Sequence, residues 1–384
     1  MKSNLPVLLL TTLQAALVLR VIRRLLIGIR NERLEPVNGG LARQACLSVL
    51  VPVLNEVDRL APCLQGLLQQ GPEVAEILVI DGGSDDGTRQ VVLTYSQQDS
   101  RVRLINAAPV PATWNGKAWG LQVGLAQLAP LSQWVLMIDA DVRPTAQLSA
   151  SLLAHARKRN LAALSIATLQ EIDGFGQGLL HPAFLSTLVY RFGRPGRIIH
   201  NVSEVQANGQ CFLVERRAFE ACGGLSIASD SLCEDITLAR ALVSAGYAFG
   251  FYEAGELVSV RMYENWRETW HNWSRSLPMR DQFSGWQTLS GWLEIVFVQA
   301  LPLPILLFLA LSHARPRGLV LLNTLLASLR LGILVGTARA YRERPWSYWL
   351  SPLCDLPVAY KLVASALRRR HTWRGRPLLR GGSL

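Results

Sequence analysis

Apolar positions follow three patterns in succession along this chain. Residues 5–19, LPVLLLTTLQAALVL, form one apolar run that stops at Arg20. That is short of the roughly 20 residues a helix needs to cross a bilayer. If Arg20, Arg23 and Arg24 snorkel their charges to the surface, the run extends to Ile29. Segment 1–30 is therefore a tilted span, an interfacial anchor or an uncleaved signal-like segment. From Ala45 to about Arg240, short apolar runs (LSVLVPVL, EILVID, VRLINA, WVLMIDA) end in Pro, Asn, Asp or Gly, as buried parallel strands do. Helically spaced stretches lie between them: NEVDRLAPCLQGLLQQ, GTRQVVLTYSQQ and, less regularly, GKAWGLQVGLAQL. This alternation predicts βαβ units wound on both faces of one sheet, an α/β fold.

After Ser284 the runs lengthen. Residues 292–312 and 318–338 are long enough to span, with Glu294, Pro302, Pro304 and Arg330 as polar or helix-breaking interruptions for neighbouring helices or the bilayer edge to receive. Residues 346–366 contain Pro352, Asp355 and Pro357 and read as a re-entrant or interfacial helix. The expected organisation is a membrane segment or anchor at 1–30, a catalytic domain at 45–284, transmembrane or interfacial helices at 285–367 and a basic tail at 368–384.

Composition fits a globular domain joined to membrane segments: half of the 384 residues are apolar, 17% are charged, and mean hydropathy is +0.21. The net charge of +11 lies largely in arginines beside the apolar segments, RRLLIGIRNER and RRRHTWRGRPLLR, and not in a basic stripe on the central region. This favours a membrane surface over nucleic acid, and the positive-inside rule places the tail and the catalytic domain on the cytoplasmic side. Six cysteines without a CxxC pair read as reduced, mostly buried thiols.

In an open α/β sheet, ligands bind beyond the carboxyl ends of the strands. Four such ends carry polar residues here: Pro52 with Asn55-Glu56, Asp81 in IDGGSDDGT, Lys117 in WNGKAWG, and Asp139-Ala140-Asp141. Each alone fits a turn or a helix cap. Their order along one βαβ series puts all four on one sheet edge. Alternation along a strand sets Asp139 and Asp141 on one face, where two carboxylates repel unless a cation lies beside them. Mg²⁺ or Mn²⁺ held by one or two carboxylates and substrate phosphates meets that need. No G-x-G-x-x-G turn follows the first strand, which disfavours a dinucleotide-dependent oxidoreductase.

The strings SVLVPVLNE, ILVIDGGSDDGT, GKAWGLQVG, MIDADV, GQCFLVERRAFEACGG and CEDITLARAL, in this order over residues 47–275, resemble the family 2 glycosyltransferases of the GT-A fold. WNGK, LLHPAF, the paired C-terminal segments and the TWRGR tail are similar to the membrane branch that glycosylates hopanoids, carotenoids and ceramides. The resemblance implies a GT-A-type doubly wound mixed sheet with N- and C-terminal membrane-associated helices. It implies transfer of a sugar, with inversion, from a nucleotide-diphosphate donor of the UDP type to a lipid hydroxyl.

By this resemblance Pro52, Asn55 and Glu56 line the base and ribose, and Asp81 accepts a hydrogen bond from uracil. The family has a second acid after Asp81, where this chain has Gly82. Lys117 stands where the family has a basic residue near the nucleotide. Asp139 and Asp141 correspond to its metal-binding DxD acids, with Asp141 the direct ligand of Mg²⁺ or Mn²⁺. Gly209-Gln210 correspond to the acceptor-side loop. Of the Glu234-Asp235 pair, Asp235 matches the catalytic base, although an acidic first helical turn is also what the helix dipole favours. Trp273 and Arg275, in ENWRETWHNWSRS, are candidates for the acceptor and diphosphate sides or for the bilayer interface. The string QxxRW of processive polysaccharide synthases is absent. An inactive nucleotide-sugar-binding scaffold and a synthase-like transferase are the competing expectations.

Overall fold

The computed structural model describes residues 5–27, 32–37, 45–274, 277, 284–313 and 315–368, with the backbone of 370–373 and 376–379. The chain divides into two units: residues 32–171, 195–262 and 369–384 make one, and residues 1–31, 172–194 and 263–368 the other.

The first unit is built on an eight-stranded mixed sheet. Its strands are β1 (Leu47–Val53), β2 (Val74–Asp81), β3 (Val102–Asn106), β4 (Trp134–Ile138), β6 (Ala163–Ala167), β8 (Arg197–Ile199), β9 (Cys211–Glu215) and β10 (Phe249–Glu253). They lie in the order β3-β2-β1-β4-β9-β6-β10-β8. The four strands expected from sequence are parallel neighbours, while β9 runs antiparallel between β4 and β6. A smaller sheet joins β5 (Val142–Pro144), β11 (Val258–Val260) and β7 (Leu169–Gln170).

Apolar side chains leave the large sheet on both faces. Val49, Val51, Val53, Leu136 and Ile138 enter one core, and Leu50, Val135 and Met137 the other. Two-sided burial explains why the strands read as continuous apolar runs. Each buried Val, Leu or Ile contributes about 1.5–3 kcal/mol. The helices Leu60–Leu68, Thr88–Gln98 and Gly116–Leu125 occupy the three inter-strand stretches expected to be helical. Thr88–Gln98 is entered through Gly87 at φ +97°, a left-handed position that glycine adopts without cost.

The second unit is helical. Leu5–Ile27, Arg317–Ala340 and Trp346–Leu367 are each long and apolar enough to cross a membrane. The expected span at 292–312 falls on a pair, Gly285–Ala300 and Pro302–Leu311, bent by 44°, the form of a broken span or a re-entrant loop. Pro302 has no N–H to donate back along the helix, and a wide turn over Ile295–Ala300 precedes it. Trp346–Leu367 continues through Pro352, which lies in a 3₁₀ portion, and Pro357, which lies in the first turn of the α portion where a missing N–H is harmless.

The charges that interrupt these apolar runs pair with one another. Arg330 Nε donates to Asp355 Oδ2 at 2.7 Å and its Nη2 to Oδ1 at 3.0 Å, and Gln299 Nε2 donates to the same Oδ1. Arg24 forms a fork on Glu294 at 2.6 and 2.9 Å, and Gln14 bonds Asn323 at 3.0 Å. Residues 172–194, inside the span expected to be catalytic domain, belong to this helical unit as the largely buried helix Gly174–Phe192.

Candidate functional site

The site grows from the carboxyl ends of the central strands. The β1–β2 ladder continues to Val53 and Asp81, but the β1–β4 ladder stops at Leu50 and Met137. Pro52, without an N–H, lies just past that point. Strand order reverses between β1 and β4, so these strands part at the topological switch point, where the sheet rule locates a ligand crevice.

On the β1–β2 side, two loops are tied together. The Asn55 N–H donates to Ser84 Oγ, and Asn55 Oδ1 accepts from the Asp85 N–H, both at 3.0 Å. The Glu56 N–H donates to Thr88 Oγ1. Asn55 takes φ +54°, a conformation that asparagine tolerates better than other side chains. Asp81 is fully buried. Its Oδ1 accepts from the Ser84 N–H and Oγ, and its Oδ2 from Arg89 Nη1 at 3.1 Å. Asp81 thus braces its own loop with both oxygens. Gly82, in place of a second acid, has room for a side chain: a Cβ there would lie 3.5 Å from Val53 O.

On the β4 side, Asp139 follows the strand, and its N–H donates to Gln210 O at 3.2 Å because β9 starts alongside. Lys117 Nζ reaches Asp139 Oδ1 at 2.8 Å and Glu234 Oε1 at 2.7 Å. The resemblance implied a place near a nucleotide for Lys117; in the structure the lysine joins the two acidic motifs, and no spacing rule could show this. Gly209 backs onto the cluster: a Cβ there would lie 3.0 Å from Lys117 Nζ, 3.3 Å from Glu234 Oε1 and 3.4 Å from Asp235 Oδ2. Gln210 is buried and bonded to Thr168 Oγ1 and Asn208 Nδ2 through its Oε1. With Ser165, these residues hold the Gly209 loop. The sequence reading missed Asn208, Thr168 and Ser165; the Asn immediately before Gly209 was the available signal.

Four carboxylates, Asp139, Asp141, Glu234 and Asp235, surround Lys117, which pairs with Asp139 and Glu234, while the Arg59 charge also acts on Asp141. Burial, then Asp139 and Glu56, push Asp141 up to about 7, against the pull of Arg59 and Lys117. Burial, then Glu234, push Asp235 up to about 7 as well. Burial also raises Asp139, opposed by Lys117. Burial works against the Lys117 charge, but Asp139, Glu234 and Asp235 outweigh it and hold its pKa well above the usual value. Asp141 Oδ1 is buried without a hydrogen-bond partner. A carboxylate oxygen left in that state suits a cation. Among the described residues no group of three or more His, Cys, Asp or Glu is arranged to hold a metal alone, so an ion here would draw the rest of its ligands from substrate and water.

Trp273 lies in the helical unit, 5% exposed, with His181 at 4.0 Å and Phe184 at 5.5 Å from its ring. Arg275 is outside the described residues. All six cysteines are free, and Cys63 lies under the site with its Sγ 3.6 Å from Asp139 O.

Residues 48–223 match the family model described as glycosyl transferase family 2. That stretch belongs to glycosyl transferase family 2. The family 2 domain contains Pro52, Asp81, Lys117, Asp139, Asp141 and Gly209, and Glu234-Asp235 follow it. The chain is 25% identical over 236 residues to 4,4'-diaponeurosporenoate glycosyltransferase of Staphylococcus haemolyticus, covering 61% of each protein. It is 26% identical over 95 residues to glycosyltransferase GlyG of Streptococcus pneumoniae, covering 25% of this chain and 30% of that one. The chain thus matches less than two thirds of the length of these relatives. Among solved structures, the mannosyltransferase PcManGT from Pyrobaculum calidifontis, in complex with GDP-Man and Mn²⁺, superposes with a TM-score of 0.51 at 15% identity, over 93% of this chain and 98% of that one. This likeness shows the GT-A fold around the family 2 domain.

Proposed function

We propose that this protein is a membrane-associated, inverting glycosyltransferase that moves a sugar from a UDP-type donor to a hydroxyl of a membrane lipid such as a carotenoid or hopanoid. The observation that carries the reading is the meeting of Asp235 and Glu234 with Lys117 and Asp139 around Gly209 at the switch point of the sheet. The carotenoid-glycosylating relative supports the acceptor class. The three long apolar helices support attachment to a membrane, and the arginine-rich stretches beside the apolar segments support a catalytic domain facing the cytoplasm.

A lipid hydroxyl is a weak nucleophile and must lose its proton as its bond to the anomeric carbon forms. Asp235, with a pKa of about 7, is poised to accept that proton near neutral pH. A single base opposite the leaving diphosphate gives in-line displacement and inverted stereochemistry. Asp141, with its unpartnered oxygen, and Asp139 would hold Mg²⁺ or Mn²⁺. When bound, that ion offsets the negative charge on the departing nucleoside diphosphate. Pro52, Asn55, Glu56 and Asp81 shape the nucleoside side of the crevice.

The test is calorimetric titration of UDP into the detergent-solubilised protein with and without Mn²⁺, beside transfer of labelled sugar to extracted lipid. Metal-dependent UDP binding that is lost in Asp141→Ala, with transfer lost but UDP binding kept in Asp235→Asn, supports the reading. Transfer at the wild-type rate in Asp235→Asn removes Asp235 as the base. Absence of UDP binding with and without metal overturns the donor assignment.

A further inference from the structure

We infer that Lys117 is a built-in counter-cation that occupies Asp139 until a donor diphosphate arrives, so that a divalent ion binds this protein together with the nucleotide and not before it. The inference rests on the donor-site reading above and adds an order of loading to it.

The two aspartates of the pair differ. Asp139 Oδ1 is held by Lys117 Nζ at 2.8 Å, whereas Asp141 Oδ1 is buried with no hydrogen-bond partner. One carboxylate is neutralised from within the protein, and the other is left for an ion. The lysine is not a loose surface chain. It is the second residue of the helix Gly116–Leu125, whose entry is pinned by Asn115: its N–H donates to Ser229 O and its Nδ2 to Ser231 O, both at 2.6 Å. Gly209 keeps the opposite side clear, since a Cβ there would stand 3.0 Å from Nζ.

An ammonium hydrogen-bonded to Asp139 and a divalent ion coordinated by the same carboxylate repel each other across a few ångströms in a partly desolvated site. A bare cation must therefore displace Lys117, settle for Asp141 alone, or take the other oxygen of Asp139 against the repulsion of the ammonium. A nucleoside diphosphate changes the balance because its oxygens bring both new ligands for the metal and a new partner for the ammonium. Glu234 Oε1, at 2.7 Å, is the second support on which Lys117 stays docked after it leaves Asp139. Metal and nucleotide are then positively coupled, and the coupling runs through Lys117. Couplings of this kind typically span about 5- to 150-fold in affinity.

The experiment measures Mn²⁺ binding to the full chain in detergent, by the loss of the free-ion EPR signal, with Mn²⁺ alone and with saturating UDP or GDP. Lys117→Gln keeps a neutral hydrogen-bond donor; Lys117→Arg keeps the charge. The expected result is weak Mn²⁺ binding by wild type and Lys117→Arg without nucleotide, at least about tenfold tighter binding by Lys117→Gln, and a smaller nucleotide-induced gain in that variant. A melting curve for each variant confirms folding, and Lys117→Arg stands if Lys117→Gln does not fold: tight nucleotide-free Mn²⁺ binding by wild type or Lys117→Arg overturns the inference. Mn²⁺ affinity in folded Lys117→Gln equal to wild type overturns it too, while metal-dependent nucleotide binding in wild type keeps the donor-site reading. No metal-dependent binding of either nucleotide to wild type overturns that reading itself.

Discussion

Asp235 is raised to about 7 by burial first and by Glu234 second, so removing the Glu234 charge should shift the pH dependence of the reaction. Glu234 Oε1 and Asp235 Oδ2 lie 3.3 and 3.4 Å from one point, the Cβ position of Gly209, which sets them less than about 7 Å apart. One unit charge at that distance and an effective dielectric near 20 is worth roughly 2 kcal/mol, or about 1–2 pH units after solvent screening. The base works as the carboxylate, so the rate falls about tenfold per pH unit below its pKa, and kcat/KM reports that pKa in the free enzyme. Wild type should lose kcat/KM below a midpoint near pH 7. Glu234→Gln should carry that midpoint down by about 1–2 units. The assay is labelled-sugar transfer at limiting acceptor from about pH 5 to 9. An acid limb that stays in place or moves upward in Glu234→Gln refutes the assignment of Asp235 as the titrating base.

Other changes test other parts of the structure. Asp141 has a folded pKa above its ordinary value, so the folded chain holds a proton that the unfolded chain has released, and stability falls as pH rises toward 7. Asp141→Asn should therefore melt at a higher temperature than wild type above neutrality without metal, with the gap narrowing as pH falls below about 7 and closing only near or below about pH 4, as differential scanning fluorimetry would show. Gly209→Ala places a methyl 3.0 Å from Lys117 Nζ; it should keep its melting temperature within a few degrees while transfer drops at least about tenfold, the scale of a 1–2 kcal/mol displacement. Arg330→Ala leaves Asp355 buried and unpaired, which should cost about 3–5 kcal/mol in thermal or denaturant unfolding, whereas Arg330→Met with Asp355→Leu should recover most of it.

The parallel half of the sheet was legible because β1, β2 and β4 are buried almost throughout and all four strands end in turn residues, although β3, at the sheet edge, is only partly buried. Strands β6, β8 and β10 did not announce themselves, whereas the resemblance implied a strand after Gly209-Gln210, where β9 lies. All four are three to five residues long, and the antiparallel place of β9 is a tertiary choice that no local pattern encodes. Asp139, Asp141, Glu234 and Asp235 could be picked out by residue type and order. That Lys117 bridges two of them could not, because the helix bearing the lysine and the loop before Glu234 meet only in the fold. Asp81 shows the converse, since the turn reading and the ligand reading apply to the same side chain, and its observed partners are Ser84 of the turn and Arg89 of the helix that follows. The helix Gly174–Phe192 looked like part of the catalytic domain from its position in the chain. Its burial among apolar helices is visible only in three dimensions.

The polar pairs inside the helical unit also set a schedule for biosynthesis. Arg24 finds Glu294 across 270 residues of chain, and Gln14 finds Asn323 across 309. At roughly 5–20 residues per second, the first helix leaves the ribosome about 15–60 s before the partners of its polar groups exist. Arg24 gains an earlier partner in Tyr190 O, 166 residues on, but its carboxylate partner, like the Asn323 partner of Gln14, comes only at the end of that interval. A chain stopped before Glu294 would leave the Arg24 charge without its carboxylate and Gln14 without Asn323, so the first helix could reach its final packing only once the last third of the chain exists.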